Sequence, residues 1–315
     1  MKLIRTLGLA AALVAASAAH AQQQFVTVLT GGTSGVYYPL GVALSKVYGD
    51  NIPDVRTSVQ STKASAENLN LLQAGRGEVA FALGDAVSDA WNGNEEAGFK
   101  NKLDKLRGLA GIYDNYIQIV ASADSGIKTL ADLKGKRVSV GAPRSGTELN
   151  ARAIFKGAGM SYNDLGKVEY LPFGESVELI KNRQLDATLQ SAGLGVASIR
   201  DLANAVNIVV IPVSADVVSN IGDAAYQPAM IPANTYQGQA ADVSTVAIRN
   251  ILVTHAGVPD DVVYGMTKSM FESLDQLTAA HAAARAIKAE GAADGLPLPL
   301  HPGAERYYRE AGLLQ

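Results

Sequence analysis

Apolar and polar residues alternate along Phe25-Val26-Thr27-Val28-Leu29, and the period then changes: Leu40, Ala43, Leu44 and Val47 recur at helical spacing. The pattern predicts a strand, a loop and a helix, joined by Thr30-Gly31-Gly32-Thr33-Ser34-Gly35-Val36-Tyr37-Tyr38-Pro39. A small-residue loop at a helix start leaves backbone N–H groups free at the positive end of the helix dipole, where an anionic or carbonyl group can sit. Glycines allow close approach, and the Thr33 and Ser34 hydroxyls add donors. A single loop of this kind is more often an ordinary strand-to-helix turn. Here the device recurs twice.

Residues 55–59 read as a second strand, followed by Gln60-Ser61-Thr62-Lys63-Ala64-Ser65-Ala66-Glu67-Asn68 and a helix through Leu69 and Leu72, with Ser65 as N-cap. Residues 77–83 give a third strand ending in Gly84-Asp85, so Asp85 stands where open α/β sheets place ligands; helix capping is an equally good role for it. Residues 106–121 are extended. The strand–helix rhythm then restarts with strand 137–140 and the third copy, Gly141-Ala142-Pro143-Arg144-Ser145-Gly146-Thr147-Glu148, in which Ser145 and Glu148 form a capping box. Strand 168–171 leads to Phe173-Gly174-Glu175-Ser176 and another helix, and strand 187–190 delivers Gln190 and Ser191 to a loop. Residues 208–213 are extended again, and 214–315 read as mostly helical, with alanine-rich 279–289 as packing helix.

Two α/β units divided by extended runs describe a two-lobed chain: lobe one from 22–115 and 212–315, lobe two inserted as 116–211. Clefts for small ligands favour such interfaces. The first residues read as a targeting signal, with Lys2 and Arg5, an apolar stretch over 7–19, and Ala19-His20-Ala21 as the cleavage site. Cleavage after Ala21 predicts a soluble, periplasmic protein. With no cysteine in the chain, lipid anchoring through a thiol, disulfides and thiolate chemistry are excluded. Losing Lys2 and Arg5 moves the net charge from -3 to -5, which disfavours nucleic acid or anionic membrane as a partner.

Taken in order, these pieces resemble the TAXI family, the extracytoplasmic solute receptors of TRAP transporters. The matching residues are Thr30 to Pro39, Ser65 to Asn68, Gly84-Asp85, Gly141 to Arg152 and Gln184-Leu185-Asp186-Ala187, then Ile231-Pro232-Ala233 with Tyr236 to Thr245, and His301-Pro302-Gly303-Ala304. The resemblance implies a type II periplasmic-binding-protein fold, two α/β lobes joined by a two-stranded hinge, and a monomer. It implies capture of a small carboxylate such as glutamate, an oxo acid or a dicarboxylate, with delivery to TRAP membrane permease subunits. Carried over by position, the ligand-facing residues would be Thr33, Ser34, Gly35 and Tyr37, then Ser65, Ala66 and Asn68, then Ser145, Gly146 and Thr147, with Asp85 and Gln190 beside them. Arg144 would grip a carboxylate if it faces the cleft and would be a rim charge if it faces water.

Catalysis has little to stand on in this sequence. Ser34 lacks the nucleophile-elbow pattern because position 36 is Val, and His255, His281 and His301 are isolated, with no metal-binding pair. No Walker-type loop or dinucleotide fingerprint is present, so no cofactor is expected. The expected mechanism is capture by lobe closure with no bond chemistry. A binding protein of an ATP-driven importer or of a membrane sensor would use the same cleft, so both remain open at this stage.

Overall fold

A computed structural model describes residues 23–314; the expected signal peptide, 1–21, lies outside them. Among the described residues, ten strands form one continuous curled sheet. One end is a parallel set built by β1 (Gln24–Leu29), β2 (Val55–Gln60) and β3 (Val79–Leu83), with β1 between the other two. The far end is a second parallel set, β5 (Arg137–Ser139), β6 (Lys167–Glu169) and β7 (Ala187–Ala192), with β5 central. Two long antiparallel strands join them, β4 (Leu106–Ser122) and β10 (Val243–His255). β8 (Ile208–Ile211) pairs with the end of β4, and β9 (Gln227–Ile231) with the start of β10.

Among the described residues, ten α-helices cover both faces. In chain order they are α1 (Tyr37–Asn51), α2 (Ser65–Gln73), α3 (Gly84–Asn92), α4 (Gly146–Gly157) and α5 (Phe173–Lys181). They continue with α6 (Ala197–Ala205), α7 (Ala215–Ile221), α8 (Asp260–Glu272), α9 (Leu274–Ala280) and α10 (Pro302–Glu310). Successive strand residues point to opposite faces, and the core divides accordingly. Val28, Val79 and Phe81 pack with α1, α8 and α10 through Leu44, Met266 and Tyr308. Leu29, Ala80 and Ala82 belong to the opposite apolar cluster, with Leu69 of α2, Val87 of α3 and Ile154 of α4. β3 and β7 are buried along their whole length, as central parallel strands must be, whereas β2 at the sheet edge alternates.

Several expectations need correction. The C-terminal third is not mostly helical: β9 and β10 lie in it, and β10 occupies the middle of the sheet. The long partner that runs beside β4 is β10, while residues 208–211 pair only with the last turn of the pleat at Ile119–Ser122. The alanine-rich stretch is not one helix. α9 ends at Ala280, a short 3-10 turn covers Ala282–Ala286, and the chain then leaves helical geometry.

Candidate functional site

Between the two parallel sets lies a cavity of about 190 Å3, at the carboxyl ends of β1, β2, β3 and β7. This is the edge on which α/β sheets carry ligands, because every strand-to-helix turn opens there. Four helices begin on its wall: α1 at Val36-Tyr37, α2 at Ala64-Ser65, α4 at Ser145-Gly146 and α5 at Pro172-Phe173. The first amides of a helix have no partner within it and carry its positive partial charge. α1, α2 and α5 have no side-chain cap to absorb those amides. Ala64 and Arg144, just before α2 and α4, both hold positive φ, 68° and 62°. L-residues adopt that conformation at a cost, and it turns the two chain segments sharply into their helices.

One wall of the cavity is a closed hydrogen-bond network. The Tyr37 hydroxyl donates to Asn250 Oδ1 at 2.5 Å, and Asn250 Nδ2 donates to Asn115 Oδ1 at 2.9 Å and to the Tyr113 carbonyl at 2.8 Å. Asn115 Nδ2 in turn donates to the Ser191 carbonyl at 3.0 Å. Asn250 reaches this network because the β10–β4 register slips between Arg249 and Ile251, and such irregularities re-aim a side chain. Burial pushes the Tyr37 hydroxyl well above its ordinary range, so it stays a proton donor. Tyr37 also stacks on Phe81, their ring centroids 5.0 Å apart. Ser191 lines the cavity, and its buried Oγ has no hydrogen-bond partner. Ser145 Oγ accepts the Glu148 amide at 3.1 Å, which leaves its own hydrogen free. Among the described residues on the wall, Lys63 is the only charged side chain.

Of the residues expected to face a ligand, Gly35, Tyr37, Ser65, Ser145, Gly146 and Thr147 do line the cavity. The others lie elsewhere. Thr33 and Arg144 are exposed and off the wall, and Arg144 contributes its carbonyl, which accepts the Glu67 amide at 3.2 Å. Ser34 lies outside the wall, toward Gly174. Ala66 packs in the core around α2. Asn68 is structural: its Nδ2 donates to the carbonyls of Thr30 and Phe81 at 2.7 and 2.9 Å. Gln190 accepts the Ser198 hydroxyl at 2.6 Å behind the cavity.

Asp85 is buried among α3, α4 and the turn before β9, where Asn150 Nδ2 and the Tyr226 hydroxyl each donate to its Oδ2 at 2.6 Å. Burial pushes its carboxyl up to about 6 against the Tyr226 hydrogen bond. Two caps also differ from expectation. Ser65 does not cap α2; its Oγ accepts the Leu83 amide at 3.2 Å, and Ala64 holds the cap position. Ser145 caps α4, but the Glu148 carboxylate pairs with Arg152 at 2.7 Å instead of returning to the cap.

Lining residues absent from the expected set include Lys63, Asn115, Phe173 and Ser191. Phe173 opens α5, and Ser191 lies in β7, which runs on to Ala192 where the sequence pattern predicts an end at 190. Asn115, an amide in the middle of a buried strand, is a polar interruption of an apolar run and is a readable signal in hindsight.

Solved structures share this fold at low identity. The alkanesulfonate-binding protein of Xanthomonas axonopodis pv. citri is 14% identical with TM-score 0.50, over 90% of this chain and 83% of its own. A binding protein component of an ABC phosphonate transporter from Pseudomonas aeruginosa is 10% identical with TM-score 0.55, over 84% and 80%. A putative L-cystine ABC transporter protein from Listeria monocytogenes is 15% identical with TM-score 0.52, over 84% and 98%. The fold is thus that of type II periplasmic binding proteins. The family model described as NMT1-like matches residues 28–312, and with nearly the whole described chain inside that match, the protein belongs to the NMT1-like family.

Proposed function

We propose that the protein is an extracytoplasmic solute-binding protein that captures a small organic anion between its two lobes and hands it unchanged to a membrane transporter. The observation that carries this reading is the convergence of four helix starts on one cavity whose only charged side chain, among the described residues, is Lys63. Such a wall offers amide and hydroxyl donors to an oxyanion, be it carboxylate, sulfonate or phosphonate. β4 and β10 are the strands that would flex, and closing the lobes would exclude water and strengthen each polar contact. No reacting group is assigned, because among the described residues the cavity wall holds no nucleophile paired with a base.

The partner is best supported as an ABC-type importer, since the neighbouring folds named above come from such systems. The ordered motifs that resemble TAXI receptors support a TRAP permease as the second reading. The adjacent genes discriminate: an ATPase favours the importer, and a large multi-span permease without one favours TRAP.

To test the reading, the purified protein is stripped of co-purified solute and screened by thermal shift against carboxylates, alkanesulfonates and phosphonates with their neutral amides and alcohols. Mass spectrometry then follows the bound solute. Stabilisation by an anion recovered intact is expected. Stabilisation only by neutral solutes, or recovery of a converted product, would overturn it.

A further inference from the structure

We propose that the captured anion carries no ammonium group: it is an organic oxyanion with an apolar body, and the site discriminates against the amino acid or amine of the same carbon frame. This inference deepens the solute-binding reading and rests on it. The cavity wall is one-sided in its hydrogen bonding. Its charged side chain, Lys63, is a donor, and so are the first-turn amides of α1, α2, α4 and α5 apart from those of Glu67 and Glu148, which the Arg144 carbonyl and Ser145 Oγ already accept; the Ser145 hydroxyl, whose oxygen holds the Glu148 amide, adds a hydrogen. Ser191 adds a second, independent pointer to a ligand. Ser191 is 5% exposed, it lines this cavity, and its buried Oγ has no partner. A buried hydroxyl left without a partner is a group awaiting one.

An ammonium group needs the opposite chemistry, three acceptors and preferably a carboxylate. Among the described residues no Asp or Glu lines the cavity. Five carbonyls on the wall already hold donors. Gly31 O accepts the Ser61 hydroxyl at 2.8 Å, Gly32 O the Gly35 amide at 3.0 Å, and Ala142 O the Ser145 amide at 3.1 Å. Ser191 O accepts Asn115 Nδ2 at 3.0 Å, and Pro172 O accepts the Ser176 amide and hydroxyl, each at 3.0 Å. Asn115 Oδ1, the one amide oxygen on the wall, is occupied by Asn250 Nδ2. A cation entering here would be desolvated against helix starts of its own sign. The remaining surface, Val36, Leu83, Pro172 and Phe173, is apolar and suits an alkyl or aryl body. This argues against glutamate, and for an oxo acid or an alkyl oxyanion.

Isothermal titration of the stripped wild-type protein with matched pairs tests the inference. The pairs are 4-methyl-2-oxopentanoate against leucine, phenylpyruvate against phenylalanine, 2-oxoglutarate against glutamate, propanesulfonate against taurine, and propylphosphonate against 2-aminoethylphosphonate. In whichever head-group class binds, the ammonium-free member is expected to bind at least 100-fold more tightly. Equal or tighter binding of the amino member overturns the inference and leaves the solute-binding reading standing. If no pair binds in either form, or only neutral solutes do, both fall together.

Discussion

Gly146 and Ser65 meet with no room to spare: a Cβ built on Gly146 would lie 2.5 Å from Ser65 Oγ and 2.7 Å from Leu83 Cδ1. The contact joins the start of α4 to the start of α2, and the Glu67 amide to Arg144 carbonyl bond lies beside it. Gly146 is at the front of α4 because only a residue without a side chain permits this approach. Gly146→Ala should therefore hold the two helix starts apart. Overpacking of this kind costs about 1–3 kcal/mol, so solute binding should weaken by roughly ten-fold or more. The unliganded protein should melt lower as well, because the contact exists without solute. Titration calorimetry with the stabilising anion checks this, and an unchanged affinity would contradict it.

Ser191→Ala separates binding from folding. The hydroxyl is buried without a partner in the unliganded protein, so deleting it removes an unsatisfied polar group. The unliganded variant should melt at the wild-type temperature or slightly above it. A ligand hydrogen bond to a charged oxygen contributes about 1.5–3 kcal/mol, so affinity should fall by roughly ten- to a hundred-fold. Loss of stability with intact affinity would show that Ser191 serves packing alone.

Asp85 predicts a pH dependence of stability. Unfolded, the carboxyl titrates near 3.8; folded and buried, it titrates near 6. Between those values the folded chain keeps a proton the unfolded chain has released, so stability falls as pH rises across that window and the loss is complete above it. The size is on the order of 3 kcal/mol. Asp85→Asn should remove this component, so the gap between wild-type and variant melting temperatures should change steadily from pH 4 to pH 6.5. Parallel melting profiles would contradict the assignment.

Tyr37→Phe deletes the donor to Asn250 Oδ1 in the wall network. With the acceptor left buried and unpaired, about 1–3 kcal/mol of stability should be lost. Chemical denaturation reads it as a lower midpoint with an unchanged slope. A neutral result would show that the network rearranges around the missing hydroxyl.

The strand–loop–helix devices were legible because local chemistry dictates them. Alternation at 25–29, helical spacing from Leu40 and small residues between them yield β1, the cavity loop and α1 without help from the rest of the chain. What escaped was set by tertiary pairing. Val243-Ser-Thr-Val-Ala-Ile-Arg-Asn-Ile-Leu-Val-Thr-His255 is rich in β-branched residues, yet its place between β3 and β4 depends on strands more than a hundred residues earlier. Asn115 reaches the cavity wall, and Asn250 the hydrogen bonds behind it, only because those two strands pair and slip in register.

Within the loops, sequence order does not say which way a side chain turns. Thr33 and Arg144 sit in the right turns and point out, while Lys63 and Phe173 border the cavity. Asp85 stands at the right end of β3, but its partners Asn150 and Tyr226 draw it into the core instead.

The central claim is that separate helix starts hold one solute together. Amide chemical-shift titration with the stabilising anion tests it most directly. The amides of Tyr37, Ser65, Gly146, Thr147 and Phe173 should shift along a single isotherm with one dissociation constant and one-to-one saturation. Shifts confined to one side of the cavity, or separate constants for the α1–α2 and α4–α5 amides, would contradict it.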